Sequence, residues 1–309
     1  MIVARHWVDS TDLPGLRLHL RARGDDLARP PVLLVHGATY ASPLYDLGVP
    51  DRSWLAALAE AGFAAYALDV RGYGRSVMPE TPDRPFARMD EAGPDIGDAM
   101  AWIAERHGRT PALIGGSWGS ITTAAWAAGG GRAAALVLYA PIFAARNQGW
   151  IDLLSKGGRL RDWGPTRRVT LEGTRARWDA EIPEGADWRE EAVLRDLWAQ
   201  SLADQGHAPD AAAFEAPNGT FLDLWDAMNG RALYDPGKVR CPTLLLRGGA
   251  DPTSTRADAT ALLDRLAAPE RRYVEIANGA HFVSAERRAP QVFAASIAFL
   301  RDFHRRSYL

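Results

Sequence analysis

Lysine and cysteine are almost missing from this chain. Its 309 residues include two lysines, Lys156 and Lys238, and one cysteine, Cys241. A single thiol cannot close an internal disulfide, so nothing points to an oxidising compartment. Cys241 stands just before Pro242 and an apolar run, and reads as core packing. Arginine supplies the remaining basic residues, and the formal charge is only −2. That balance gives no electrostatic attraction to nucleic acid or to an anionic membrane surface. No apolar run is long enough to span a bilayer, and residues 1–7 lack the apolar core of a signal peptide. His6, His19, His107, His207 and His304 show no metal-ligand spacing among themselves or with cysteine. There is no internal repeat and no low-complexity segment. The expectation is a soluble cytoplasmic protein acting on a small-molecule substrate. No metal, cofactor, nucleic acid or membrane is expected as its partner, and the oligomeric state is left open.

What is present is an ordinary globular composition, 47% hydrophobic and 24% charged, long enough for one large domain or a core plus an insertion. Residues 2–8 and 16–22 read as an N-terminal antiparallel pair around Leu13-Pro14-Gly15. Continuous apolar strands at 31–35, 64–68, 111–114 and 134–140 have the pattern of strands covered on both faces. Helices at 54–62, about 95–107 and 120–128 alternate with them, and a Pro-rich loop fills 79–94. From about 142 to 236 no buried apolar strand appears. Helices near 148–156, 170–180, 187–204 and 220–231 are expected instead, with six of the eleven tryptophans: Trp150, Trp163, Trp178, Trp188, Trp198 and Trp225. Alternation resumes with strands at 243–247 and 272–276 and helices at 254–267 and 288–304. This order implies an α/β fold with a doubly wound, mostly parallel sheet. Residues 1–141 and 237–309 form its core, and 142–236 an inserted helical lid.

One stretch organises the rest. Gly115-Gly116-Ser117-Trp118-Gly119 lies between the strand at 111–114 and the helix at 120–128, the arrangement of a nucleophile elbow. Glycines flank the serine because a side chain there would strike the neighbouring strand or helix. A serine hydroxyl needs a base to take its proton, and in a parallel sheet the reacting groups gather at the carboxyl ends of strands. The residues at such ends are His36, Asp69, Ser117, Asp251 and His281. Ser117, Asp251 and His281 follow one another in the chain order expected of an elbow-bearing fold. Asp69 is a rival acid read as pinning its own turn, and His36 reads as a brace for the loop after the third strand. Asp251 is also a candidate cap for the helix that follows it. Asp95 and Asp98 are read as serving a helix start.

Five motifs in order, His36-Gly37, Asp69-x-Arg71-Gly72-x-Gly74-x-Ser76, Gly115-x-Ser117-x-Gly119, Gly248-x-x-Asp251 and Gly279-x-His281, resemble those of an α/β-hydrolase over nearly the whole chain. The resemblance implies Ser117 as nucleophile, His281 as general acid/base and Asp251 as the carboxylate that orients it. It also implies an oxyanion hole from the backbone N–H groups of Ala38 and Trp118. Serine rather than aspartate at the elbow argues against epoxide hydrolase and haloalkane dehalogenase chemistry. The elbow is similar to that of prolyl iminopeptidases. Their oxyanion loop reads His-Gly-Gly-Pro-Gly, however, whereas this chain has His36-Gly37-Ala38-Thr39-Tyr40. The reading taken forward is hydrolysis of a carboxylic ester, lactone or thioester of a small, largely apolar or aromatic substrate. An aminopeptidase or amidase is the alternative. A non-hydrolytic enzyme of this fold (a cofactor-independent dioxygenase or lyase) or a ligand receptor is the alternative of another class. Arg159, Arg161, Arg167 and Arg168 are candidates to meet a substrate anion, against a solvated surface.

Overall fold

The computed structural model describes residues 2–306; Met1 and the side chain of His304 lie outside the described part. In chain order the first elements are β1 (Ala4–Asp9), β2 (Arg17–Arg23), β3 (Pro31–Val35), α1 (Trp54–Glu60), β4 (Ala64–Leu68), α2 (Met89–His107), β5 (Ala112–Gly116), α3 (Trp118–Ala128) and β6 (Leu136–Tyr139). Then come α4 (Gln148–Leu154), β7 (Ser155–Lys156), β8 (Arg159–Leu160), β9 (Thr166–Val169), α5 (Leu171–Ala180), α6 (Glu191–Asp204), β10 (Phe214–Pro217) and α7 (Gly219–Met228). The chain closes with β11 (Thr243–Gly248), α8 (Arg256–Arg265), β12 (Arg271–Ile276) and α9 (Ala289–Arg306).

Eight strands form one sheet in the order β1-β2-β4-β3-β5-β6-β11-β12. The first two joins, β1 to β2 and β2 to β4, are antiparallel and the others parallel. The fold class read from the sequence is therefore the one observed. Period-two alternation splits each central strand between two cores. Leu33 and Val35 face Ile96, Ile103, Trp118 and Ile121 of α2 and α3. Val32 and Leu34 face Leu55, Leu58, Val292 and Phe293 of α1 and α9. No helix among the described residues is long and apolar enough to cross a membrane.

Helix α2 corrects one expectation. It begins at Met89, inside the stretch read as a Pro-rich loop, and carries Pro94 within its second turn. Gly93 has no Cβ to press against the proline ring, which removes the usual bar to helix before proline. The Glu91 carboxylate also accepts from the Arg88 backbone N–H at 3.0 Å and fixes the start. Asp95 is consequently not at a helix start. It is buried inside α2, where it receives the Arg71 guanidinium at 2.7 Å. Asp98 binds the backbone and hydroxyl of Thr11.

Residues 142–236 carry four helices close to those expected, and two short strand pairs that were not, β7 with β8 and β9 with β10. Thr166–Val169 has two charged residues among its four and pairs with a partner some 45 residues on, so no local pattern announces it. The segment packs Trp178, Leu194, Leu197 and Phe214 against Tyr40, Leu44 and Phe282 of the core. Ion pairs tie it down on one flank, Arg21 to Asp204 at 2.6 Å and Arg52 to Glu190 at 2.5 Å. On the other flank Asp223 of α7 receives Arg88 at 2.9 Å.

Candidate active site

Strand β5 ends in the turn that presents Ser117, and α3 starts at the next residue. Ser117 itself has φ +55°, a left-handed backbone that costs a non-glycine residue on the order of 1–3 kcal/mol and persists only where its surroundings enforce it. The enforcement is visible. A Cβ on Gly119 would sit 2.5 Å from the Val35 carbonyl oxygen and closer still to that of His36, while one on Gly115 would overlap Thr123 Oγ1 and the Gly119 carbonyl. The Ser117 N–H donates to the Tyr139 carbonyl at 2.9 Å.

The tertiary structure brings together three strand-end residues separated by 164 positions. His281 Nε2 lies 2.9 Å from Ser117 Oγ, and its Nδ1 lies 2.9 Å from Asp251 Oδ2. An ionised carboxylate only accepts, so Nδ1 carries the ring proton and Nε2 is left to accept from the serine hydroxyl. Asp251 does a second job as well. Its Oδ1 accepts from the backbone N–H groups of Thr253 at 2.8 Å and Ser254 at 2.9 Å, while Thr255 caps α8. The His281 loop is held in turn by Tyr139, whose hydroxyl donates to the His281 carbonyl at 2.6 Å. Glu286 receives the Ala280 N–H at 2.9 Å and the Trp178 indole at 3.1 Å. Burial pushes the Glu286 carboxyl up to about 7.

Ala38 and Ser117 line one pocket, with Trp118 at the start of α3. Neither the Ala38 nor the Trp118 backbone N–H finds an acceptor among the described residues. The Trp118 indole is anchored by Asp223 Oδ2 at 2.9 Å. The Ala38 carbonyl receives the Tyr73 hydroxyl at 2.7 Å and the Arg167 guanidinium.

The rival residues fall into place as supports. Burial keeps the His36 pKa below the usual histidine value, so the ring stays neutral. Its Nδ1 then donates to the Gly37 carbonyl at 2.8 Å and Nε2 accepts from Val70 N–H at 3.1 Å. Asp69 accepts from the backbone of Ser42 and Arg75 and pairs with His19 at 2.7 Å. Burial opposes its ionisation, but these partners hold it at about 2. Cys241 is half-buried against the core, and burial pushes its thiol up to about 11. Of the four arginines singled out, Arg159, Arg161 and Arg168 are exposed, and only Arg167 turns inward. It serves the Ala38 and Pro217 carbonyls.

Residues to which the sequence assigned no place at the serine complete the pocket. Arg177 of α5 lines it together with Tyr40, Tyr139, Trp150, Leu224 and Phe282. Glu181 lies just beyond α5, its Oε1 3.6 Å from Arg177 Nε. Both act on His281. Burial disfavours the charged imidazole, but Asp251 and Glu181 outweigh burial and the opposing Arg177, so the His281 pKa stands above its ordinary value. The base role that the resemblance implies for His281 requires a neutral ring, so kcat/KM for a neutral substrate is expected to fall as pH drops through that raised pKa. Glu181→Gln removes one of the charges that favour the imidazolium. Its acid limb should therefore move to lower pH, and a pH–rate profile in which the limb stays put or rises would contradict the coupling.

The machinery now on the page has known relatives. A family model described as Serine aminopeptidase, S33 (Hydrolase_4) matches residues 27–288. The chain belongs to this family. As an α/β-hydrolase it is similar in fold to several solved structures. A bromoperoxidase from Bacillus anthracis is 18% identical, with 96% of this chain and 100% of that one covered and a TM-score of 0.65. The serine hydrolase CarC, involved in carbazole degradation, is 18% identical, with 97% and 99% covered and a TM-score of 0.68. A thermophilic esterase from Thermogutta terrifontis is 22% identical, with 97% and 99% covered and a TM-score of 0.62. Identities this low speak for the fold alone. No curated protein matches the sequence significantly.

Proposed function

We propose that this α/β-hydrolase is a serine hydrolase that cleaves a carboxylic ester, lactone or thioester through an acyl-enzyme on Ser117. The observation that carries the reading is the unbroken hydrogen-bonded line from Ser117 Oγ through the His281 ring to Asp251. In the proposed reaction Ser117 Oγ attacks the carbonyl carbon as its proton passes to His281 Nε2. Asp251 holds the imidazolium, and the Ala38 and Trp118 N–H groups receive the oxyanion. His281 then gives its proton to the leaving alkoxide. Next it takes a proton from water, whose hydroxide equivalent attacks the acyl carbon; the bond to Ser117 Oγ breaks, His281 returns the proton to that oxygen, and the carboxylic acid leaves.

Residues 142–236 are proposed to act as the lid over this site. The aromatic walls supplied by Tyr40, Trp150 and Phe282 support a small acyl or alcohol group with apolar or aromatic character, since such rings offer rigid contact area. Trp178 and Trp198 are buried anchors, and Trp150, also buried and donating from its indole to Thr253 Oγ1 at 2.9 Å, lines the pocket as well.

The family's description keeps an aminopeptidase reading beside the esterase one. Initial rates on p-nitrophenyl esters from acetyl to octanoyl, run beside a proline p-nitroanilide, separate the two. The expected result is ester turnover with an optimum at short acyl chains, and labelling of Ser117 by a serine-directed fluorophosphonate. Turnover of the anilide alone would replace the esterase reading by the peptidase one, and failure to label Ser117 would overturn the mechanism itself.

A further inference from the structure

Among the described residues, Arg177 is the one permanently charged side chain that lines the serine pocket, and no carboxylate lines it. Its guanidinium lies 4.8 Å from the Trp150 ring centre and 5.6 Å from that of Phe282, with the side chain 30% exposed. Aromatic faces hold such a cation in place without neutralising it. Its ion-pair partner is Glu181, whose Oε1 lies 3.6 Å from Arg177 Nε, beyond hydrogen-bond length. No hydrogen bond from the Arg177 Nη groups to an acceptor is found among the described residues. Arg167, by contrast, donates to two backbone carbonyls. Arg177 thus brings to the pocket a guanidinium that pairs with Glu181 on its Nε side and has no hydrogen-bond acceptor for its Nη groups among the described residues, while the other walls are largely apolar.

A planar guanidinium fork matches a carboxylate bidentately, and the match gains strength where water is scarce. We infer that Arg177 is a specificity-determining residue that binds a carboxylate on the substrate. The ester taken by this site is then anionic, either a monoester of a short dicarboxylic acid or an ester with a carboxylate on its alcohol part. This inference rests on the proposed serine-hydrolase reading and narrows its substrate class. An apolar or aromatic spacer spans the distance between the scissile carbonyl at Ser117 and the anion at Arg177.

Two matched pairs of esters test it, with acid release followed by titration at constant pH. Monomethyl adipate against methyl hexanoate carries the anion on the acyl side. 4-Acetoxybenzoate against p-tolyl acetate carries it on the alcohol side. Wild-type kcat/KM should favour the anionic member of one pair by at least about 10-fold. In Arg177→Met that ratio should fall by roughly 10- to 100-fold, the usual weight of a charge-assisted contact, and Arg177→Lys should restore part of it. Arg168→Met, on an exposed arginine of the same segment, should leave the ratio alone. Arg177→Gln, which keeps a polar side chain, stands in should the methionine variant fold poorly. Equal rates on both members of each pair in wild type would overturn the inference, as would a ratio that survives both Arg177→Met and Arg177→Gln. Fluorophosphonate labelling keeps the two failures apart. A labelled Ser117 with no anion preference rejects this inference alone, whereas an unlabelled Ser117 rejects the hydrolase reading beneath it.

Discussion

Alanine at position 117 is expected to lower kcat on a simple p-nitrophenyl ester by roughly 10⁴- to 10⁶-fold, with a melting temperature close to that of wild type. The size follows from how the three residues work as a unit. Without Oγ there is no nucleophile, and His281 Nε2 loses the group from which it accepts a proton at 2.9 Å. Removal of the nucleophile in serine hydrolases costs rate on this order, leaving only what the oxyanion donors and binding contribute. The structural cost is small because the turn is not held by the hydroxyl. It is held by the Ser117 N–H to Tyr139 and by the Ser120 N–H to the Ser117 carbonyl at 2.8 Å, both of which alanine keeps. Kinetics on protein whose fold is verified by calorimetry would decide the point. More than about one per cent residual activity, corrected for wild-type contamination, would remove Ser117 from the mechanism.

Gly119→Ala should have the largest effect on stability and lower activity with it. A Cβ there meets two backbone carbonyls, Val35 at 2.5 Å and His36 closer still. Neither can give way. Strand β3 is hydrogen-bonded on one side to β4 and on the other to β5, with Val35 opposite Leu68 and Gly115. The strain must therefore move the first turn of α3, which carries Ser117 and the Trp118 N–H, away from the loop that carries Ala38. Overpacking against immovable atoms costs about 3 kcal/mol or more, and a misplacement of about 1 Å of the proposed oxyanion donors lowers the rate by roughly 100-fold. Gly129→Ala is the control. Its Cβ would come no closer than 3.4 Å to its own helix's carbonyls at an ordinary φ of −76°, so little change is expected. Denaturant midpoints and kcat for both variants suffice. An unperturbed Gly119→Ala protein would mean that the elbow has slack which the tight packing of Gly119 against β3 denies.

By itself the sequence determined the sheet, the elbow and the identity of the three residues at its mouth. These are short-range matters. A continuous apolar run such as 31–35 has the length and pattern of a strand buried on both faces, and Gly-x-Ser-x-Gly encodes a turn whose sterics are local. His281 and Asp251 were legible because they follow strands in an order that a parallel sheet must respect. The same reasoning lost its footing at Pro94, where one preceding glycine let a helix run through a stretch that composition marked as loop. It missed Asp95 for the same reason. Only the tertiary structure decided which charges turn inward from residues 142–236. Helix α5 has too few apolar residues to define a buried stripe. Its orientation is instead set from outside, by Trp178 docking on Glu286 and Phe282. That docking leaves Arg177 facing the pocket, while Arg167, four residues before α5, reaches the Ala38 carbonyl because β9 pairs with a strand some 45 residues away. Contacts of that range leave no periodicity in the chain. The proposed catalytic line is therefore written in local pattern, and the charge that would select its substrate emerges only when distant elements pack.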